Sequence, residues 1–331
     1  MDSHALLCRL QETGRVRSSE ATAVPLSGGV SSEIWLVTDG RERFVVKRAL
    51  PKLKVRDDWF ADPARNRVEH DCLACLDRIA PGSVPRILFR DAEAGLFGME
   101  FLDGKFANWK TELLRGVARD EDASRAAQLM ATIHGASFGD AEVRERFQTW
   151  ANFFALRVEP YLLTTGSRHP KLRALFEEEA ERLGRTALAL VHGDFSPKNI
   201  LISSERLVLL DCEAAWFGDP AFDAAFLLNH LFLKALHLPA RREDYLRLAS
   251  VCWSEYCAGF AGRFDGGLEF RIGRLLMMLM LARMDGKSPV EYIAEERKKE
   301  LVRDFAGRML PASAFAMEEM TNNWRRLLAT Q

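Results

Sequence analysis

Hydrophobic and polar positions along the chain fall into two regimes. From Val24 to about Phe101, short β-branched and aromatic runs are punctuated by turn residues, as in "AVPLSGGVSSEIWLVTDGRERFVVKRAL" and "RILFRDAEAGLFGMEFL". Such runs, bounded by Gly, Pro and Asp, predict strands of a small sheet. Between them, the segment from Pro63 to Ile79 sets Val68, Leu76 and Ile79 on a helical stripe and predicts one helix. After Asp103 and Gly104 the spacing becomes helical almost to the end, interrupted by one hairpin-like stretch around "VHGDFSPKNILI", Val191 to Ile202. The expected architecture is α+β and bilobal. Residues 1–102 form a nucleotide-binding lobe, a small antiparallel sheet with one helix. Residues 103–331 form a larger, mainly helical lobe with a catalytic hairpin and an acceptor pocket, and the hinge lies near 99–104.

Composition narrows the function. The chain has 331 residues and a formal net charge of -1, from 46 basic and 47 acidic side chains. No global field attracts nucleic acid or anionic lipid, so neither is an expected partner. The amino terminus lacks the apolar core and cleavage site of a secretory signal, which predicts a cytoplasmic protein. The longest apolar run, Leu275 to Ala282, is far short of the roughly 20 residues of a membrane span and reads as a buried helix. Cys72 and Cys75 in "CLAC" continue the helical stripe, and no second CxxC completes a zinc site.

The chemistry concentrates in the hairpin-like stretch. "NILI" and "RLVLLD" read as two strands joined by "SSER", so Asp194 and Asn199 precede the hairpin, Asp211 and Glu213 follow it, and its fold brings both ends together. Carboxylates with one amide suit magnesium, which binds a few protein oxygens and takes its other ligands from water and substrate phosphates. Phosphoryl transfer needs positioning, neutralisation of charge and orientation of the attacking hydroxyl. Asp194 is the candidate base for that hydroxyl. Asn199 and Asp211 are the candidate magnesium ligands, with Glu213 as an auxiliary one. His192 is expected to fix the loop by hydrogen bonding rather than to react.

The first third of the chain supplies the remaining parts. Ser27, Gly28, Gly29, Ser31 and Ser32 lie between two strand-like runs, where backbone N–H groups could approach the phosphates of ATP. The segment is neither a Walker A loop nor GxGxxG. Lys47 ends an apolar strand and needs an anionic partner. Glu69 lies on the inward stripe with Leu73 and Leu76 and is the preferred carboxylate, with Asp71 as the alternative. In "FGMEFLDG", the backbone from Glu100 to Leu102 could meet an adenine edge, with Met99 behind the ring.

A strand lysine, a helix glutamate, a connector, HGDxxxxN and DxE, followed by "GDPAFDAAF", together resemble the aminoglycoside phosphotransferase and choline kinase superfamily from about Pro25 through Lys234. The resemblance implies a protein kinase-like fold, ATP and Mg2+ as cofactors and a small-molecule hydroxyl acceptor. It also implies that Asp194 is catalytic, that Asn199 and Asp211 hold magnesium, that Lys47 contacts phosphate and that Asp219 and Asp223 brace the catalytic loop. "DCE" stands where protein kinases carry DFG, and no APE-like segment follows, which disfavours protein substrates.

The expected function is ATP-dependent phosphorylation of a small hydroxylated metabolite such as a sugar or amino alcohol. The carboxy-terminal helices are closely balanced in charge, whereas a polycationic antibiotic, the alternative acceptor, favours an acidic cleft. A silent nucleotide-binding module is the rival from another class, disfavoured by the complete Lys, Asp, Asn and Asp set. His230, Arg283, Asp285 and Ser288 are expected to be satisfied structural groups.

Overall fold

Alternation in the first third of the chain builds a five-stranded antiparallel sheet. In the computed structural model, which describes all residues except 27–30, 54–58, 261, 263–266, 313 and 331, the strands are β1 (Thr22–Pro25), β2 (Ser32–Asp39), β3 (Glu42–Ala49), β4 (Ile87–Asp91) and β5 (Leu96–Glu100). Their order is β1-β2-β3-β5-β4. Ser27, Gly28 and Gly29, expected near phosphate, lie outside the described residues. Asp39 pairs with Glu42 across a two-residue turn, where Gly40 has φ of 61° and supplies the left-handed conformation.

Parity along β3 decides which side chains meet which neighbour. Phe44 and Val46 pack with Trp35 and Val37 of β2 and with Leu96, on the face covered by Leu6 and Leu10 of helix α1 (Ser3–Glu12). Lys47 has the opposite parity and meets helix α2 (Arg65–Ile79) on the other face. The sheet therefore carries a second helix beyond the single one expected. Asp2 caps that helix by accepting from the Ala5 N–H at 2.8 Å. On α2 the buried positions Val68, Glu69, Cys72, Leu73, Cys75 and Leu76 form one stripe, and all six cysteines of the chain are free thiols.

The rest of the chain is mainly helical. Strand β6 (Ala107–Asn108) leads into α3 (Trp109–Leu114), α4 (Asp120–Ser137), α5 (Ala141–Arg146) and α6 (Trp150–Phe153). A π-helical stretch, Phe154–Leu163, continues into α7 (Thr164–Arg168) and α8 (Arg173–Arg185). Strands β7 (Ala189–Val191), β8 (Ile200–Ile202), β9 (Leu207–Leu209) and β10 (Trp216–Gly218) follow. The chain then continues through α9 (Ala221–His237), α10 (Arg242–Gly259), α11 (Leu268–Asp285), α12 (Glu296–Met309) and α13 (Met317–Ala329). The expected hairpin is β8–β9, with Ile200 opposite Leu209. Two further pairings, β7 with β10 and β6 with β8, involve strands too short to leave a periodic signature.

Helix α9 is buried from Ala221 to Leu236 and α11 encloses the buried run Leu275 to Ala282, so neither has a solvent-facing side over these stretches because other helices surround them. Among the described residues no helix is long and apolar enough to cross a membrane.

Gly98 of β5 leaves room for the Phe89 ring, which a Cβ there would meet at 2.2 Å, and that ring packs edge-on against Phe44 with centroids 5.8 Å apart. Gly98→Ala is expected to destabilise the fold by about 1–3 kcal/mol through overpacking. Urea unfolding measures this, and an unchanged midpoint would show that the Phe89 ring can move aside without cost.

Candidate active site

A buried ammonium joins three parts of the chain. Lys47 is 4% exposed, and its Nζ lies 2.6 Å from Glu69 Oε1 on α2 and 2.5 Å from Asp211 Oδ1 just after β9. Asp71, the alternative partner, instead faces His70 Nδ1 at 2.9 Å. Burial pushes the Lys47 ammonium pKa down, but the charges of Asp211, Glu69 and Glu213 outweigh it and the net direction is up. Burial pushes the Asp211 pKa up, and Lys47, Lys198 and Arg157 together more than reverse this, so it stays a carboxylate. Glu69 is raised to about 7, by burial first and then by the charges of Asp211 and Glu213, against the pull of Lys47.

Asp211 has φ of 64°, the one positive value outside glycine among the described residues. A left-handed backbone costs a side-chain-bearing residue on the order of 1 kcal/mol, least for Asp and Asn. The cost falls where the chain leaves the hairpin and must aim a carboxylate at Lys47.

The HGD loop is held from beneath. Asp223, on α9, accepts from the N–H of His192 at 2.7 Å and of Gly193 at 2.9 Å. His192 Nδ1 accepts from the Asp194 N–H at 3.1 Å, which makes Nε2 the donor to the Leu210 carbonyl, also at 3.1 Å. Burial lowers its pKa and keeps it neutral. The expectation that His192 fixes the loop agrees with this geometry. Gly193 has φ of 78°, and a Cβ there would lie 2.7 Å from the Ala214 carbonyl oxygen. Only glycine fits between His192 and Asp194. Asp219 differs from the expected pairing with Asp223. It accepts from Arg182 Nη1 at 2.5 Å and Arg271 Nε at 2.8 Å, tying α8 to α11 rather than bracing the loop.

Asp194 is 8% exposed and faces two cations, Arg157 Nη2 at 3.0 Å and Lys198 Nζ at 3.5 Å. Burial would raise its pKa, but Lys198 and Arg157 hold it below the ordinary carboxylate value. Asn199 donates through Nδ2 to the Asp194 carbonyl at 3.1 Å, which leaves its amide oxygen as the acceptor for other groups.

A cleft of about 310 Å3 gathers these groups. Lys47, Glu69, Asn199, Lys198 and Asp211 line its polar side, with Ser31 and Ser32 beside them. Ile34, Leu73, Pro85, Met99 and Leu210 line its apolar side. Glu100 and Leu102 follow Met99 along the chain. The Glu100 N–H donates to the Arg86 carbonyl at 2.9 Å, and its carboxylate accepts from Arg206 Nη1 at 2.9 Å, so this residue braces the connector.

Glu69, Asp211 and Glu213 place oxygens within 4.8 Å of one another. All three are paired with cations in the protein: Glu69 and Asp211 with Lys47, the latter through Oδ1 alone, and Glu213 with Arg65 Nε at 2.9 Å. The oxygens on the cleft wall, from Asn199 and Asp211, suit a hard divalent ion better than the buried trio does.

The sequence reading missed three residues. Arg65, 1% exposed, uses all five N–H groups: one on Glu213, two on the Ala61 and Asp62 carbonyls, and two on the Ser31 and Leu50 carbonyls at 2.6 and 2.7 Å. Arg157 holds the Gly193 carbonyl as well as Asp194. Its one sequence signal is Pro160, which interrupts a helical pattern and here sits inside the π-helical turn. Lys198 has no signal beyond its place in the loop.

The model of the phosphotransferase enzyme family matches residues 22–258. A methylthioribose kinase of Pectobacterium atrosepticum is 24% identical over 279 residues, covering 72% of this chain and 69% of its own. Among solved structures, a choline/ethanolamine kinase family protein of Mesorhizobium loti superposes with a TM-score of 0.53 at 15% identity, covering 93% of this chain and 91% of its own. A choline kinase of Cryptosporidium parvum gives 0.52 at 15%, covering 99% and 95%. At these identities the structures show a shared fold.

Arg65→Lys keeps the charge but replaces five fixed donors with three on a flexible stem. It is expected to cost about 2–3 kcal/mol by leaving buried carbonyls unpaired. The urea midpoint tests this, and an unchanged value would show that the five bonds contribute nothing net.

Proposed function

The chain belongs to the phosphotransferase enzyme family and is a small-molecule kinase, and on that premise we propose that its cleft holds magnesium ATP between a lobe of residues 1–102 and a lobe of residues 103–331. The observation that carries the reading is the convergence of Lys47, Glu69, Asn199 and Asp211 on one cleft, with Asp194 joined to it through Lys198. Ile34, Met99 and Leu210 offer apolar surface for the adenine ring, and the backbone from Glu100 to Leu102 its polar edge. Ser31 lines the same cleft and stands toward the phosphates, while Ser27, Gly28 and Gly29, expected beside it from the sequence, lie outside the described residues. Lys47 supplies a fixed positive charge to the phosphates, held in place by Glu69.

Asn199 and Asp211 are the ligands we assign to magnesium, which when bound neutralises charge on the transferred phosphoryl group. Glu213, expected as an auxiliary ligand, takes a structural role instead, because its carboxylate neutralises the buried Arg65. Asp194 orients the acceptor hydroxyl and receives its proton late. A carboxylate held below its ordinary pKa is a weak base in the ground state, which suits a loose transition state in which the proton leaves last. His192 and Asp223 keep the Asp194 backbone in register and touch no reacting atom. The acceptor is a small hydroxylated molecule, as the names of the related methylthioribose and choline kinases suggest.

Substitutions separate the roles. Lys47→Ala is expected to lower kcat/KM by about 10²–10³-fold and, because it leaves the Glu69 and Asp211 carboxylates without their shared cation, to lower the urea midpoint as well; a near-wild-type rate would remove Lys47 from the phosphate site. Glu69→Gln should do less harm, since an amide still hydrogen-bonds the ammonium.

Asp194→Ala is expected to bind a magnesium-loaded, non-hydrolysable ATP analogue almost normally while losing about 10²–10⁴-fold in kcat. Asp211→Asn preserves tolerance of the left-handed backbone but removes the charge, so metal-dependent analogue binding weakens and turnover falls together. Calorimetric titration with and without magnesium distinguishes them, and the reverse pattern would exchange the two assignments.

A further inference from the structure

On the acceptor side of Asp194, the structure gathers positive charge that the nucleotide chemistry does not use. Lys234 of α9 is fully buried, and its Nζ has one hydrogen bond, at 3.4 Å to the His230 carbonyl of its own helix, and the Tyr292 ring at 5.1 Å. No carboxylate pairs with it among the described residues. Arg283 of α11 spends Nη1 on the Tyr161 hydroxyl at 3.1 Å and on the Ser288 hydroxyl, at 2.9 Å, and carbonyl, while its Nε is buried without a partner. The Tyr292 hydroxyl is likewise buried and unpaired. Lys110 brings a further cation, answered by Glu291.

These groups connect to the reacting end. Arg157, which holds Asp194, lies 5.8 Å from the Tyr161 ring and 5.9 Å from that of Phe226. Arg283 lies 5.8 Å from the same Tyr161 ring, and His230 meets Phe226 edge-on at 5.5 Å. Along α9, Asp223 supports the HGD loop, Phe226 follows one turn later and His230 two turns later, roughly 10 Å from Asp223. Unpaired buried donors are costly to an empty protein, and an anion would satisfy them together.

We propose that the acceptor carries an anionic group, a carboxylate or a phosphate, apart from the hydroxyl that is phosphorylated, and that Lys234, Arg283, His230 and the Tyr292 hydroxyl receive it. This rests on the kinase reading and narrows its substrate class, in place of the neutral or amino alcohol acceptor expected from overall charge. Burial, with Lys110 and Arg283, lowers the Lys234 pKa to about 7 against the opposing charge of Glu291, and His230 is neutral under the same burial and the charges of Lys234, Arg283, Lys198 and Lys110. An anion stabilises protonated Lys234, so its affinity is greatest below pH 7 and falls as pH rises through that value.

The test compares matched acceptors with the full chain and magnesium ATP: sorbitol, gluconate and glucose 6-phosphate, with kanamycin as a polycation. One acidic member is expected to exceed sorbitol by at least about tenfold in kcat/KM, the better of the two identifying carboxylate or phosphate. In Lys234→Met its KM rises about tenfold or more and loses its pH dependence between 6 and 8, whereas nucleotide binding is unchanged and the melting temperature does not fall. Equal or better turnover of sorbitol or kanamycin, or a Lys234→Met variant with wild-type KM for the acid, overturns the proposal. Should no member of the set turn over, thermal shift decides: gluconate or inorganic phosphate stabilises the wild type more than Lys234→Met if the proposal holds, and equally or not at all if it fails. Binding of the magnesium-loaded ATP analogue is scored separately, so failure of the kinase reading is distinguishable from failure of this one.

Discussion

The buried ammonium of Lys47 is the constraint on which the active-site half of the structure depends. Moving such a charge out of water costs several kcal/mol, so the sheet can carry Lys47 on its inner face only where carboxylates come to it. One arrives on the helix that packs across the sheet, Glu69, and the other from the end of a hairpin more than 160 residues away, Asp211. Sheet, helix and hairpin are thereby held in one arrangement. The strained backbone of Asp211 is the local expense of that convergence.

Two buried arginines extend the same logic to backbone rather than to carboxylates alone. Arg65 spans the strand ends at Ser31 and Leu50, its own helix entry and Glu213, so a single guanidinium ties the edge of the sheet to α2 and to the segment after the hairpin. Arg157 does the equivalent for the HGD loop, gripping the Gly193 carbonyl and the Asp194 carboxylate from a π-helical turn. Each arginine is worth its desolvation only because nearly every donor finds an acceptor. The carboxylates of the candidate site are thus set by neighbours that do not themselves line the cleft.

The two sides of Asp194 differ in charge. Toward the cleft, the Lys47 ammonium is met by the Glu69 and Asp211 carboxylates. Toward α9 and α11, Lys198, Lys110, Lys234 and Arg283 outnumber the carboxylates that face them. A net charge of -1 hides this, because the surface ion pairs of the helical region dominate the sum while the buried groups decide what binds.

By itself the sequence determined the parts whose causes are local. Period-two runs marked the sheet, a helical stripe put Glu69 inward, and turn chemistry placed Asp194 and Asn199 before a hairpin and Asp211 after it. Family-like spacing then named the chemistry. Helix α1, the short strands β6, β7 and β10, and the roles of Arg65, Arg157 and Asp219 were decided by tertiary structure. Two- and three-residue strands carry no period, and an arginine reads the same whether it faces water or saturates five buried acceptors. Lys234 is the extreme case. Its four-carbon stem and charge would suit any exposed helix position, and only the packing of helices around α9 removed the water and left it facing other cations. Burial, which sets the strength of every charge in this protein, is a property of the assembled chain and not of any stretch of it.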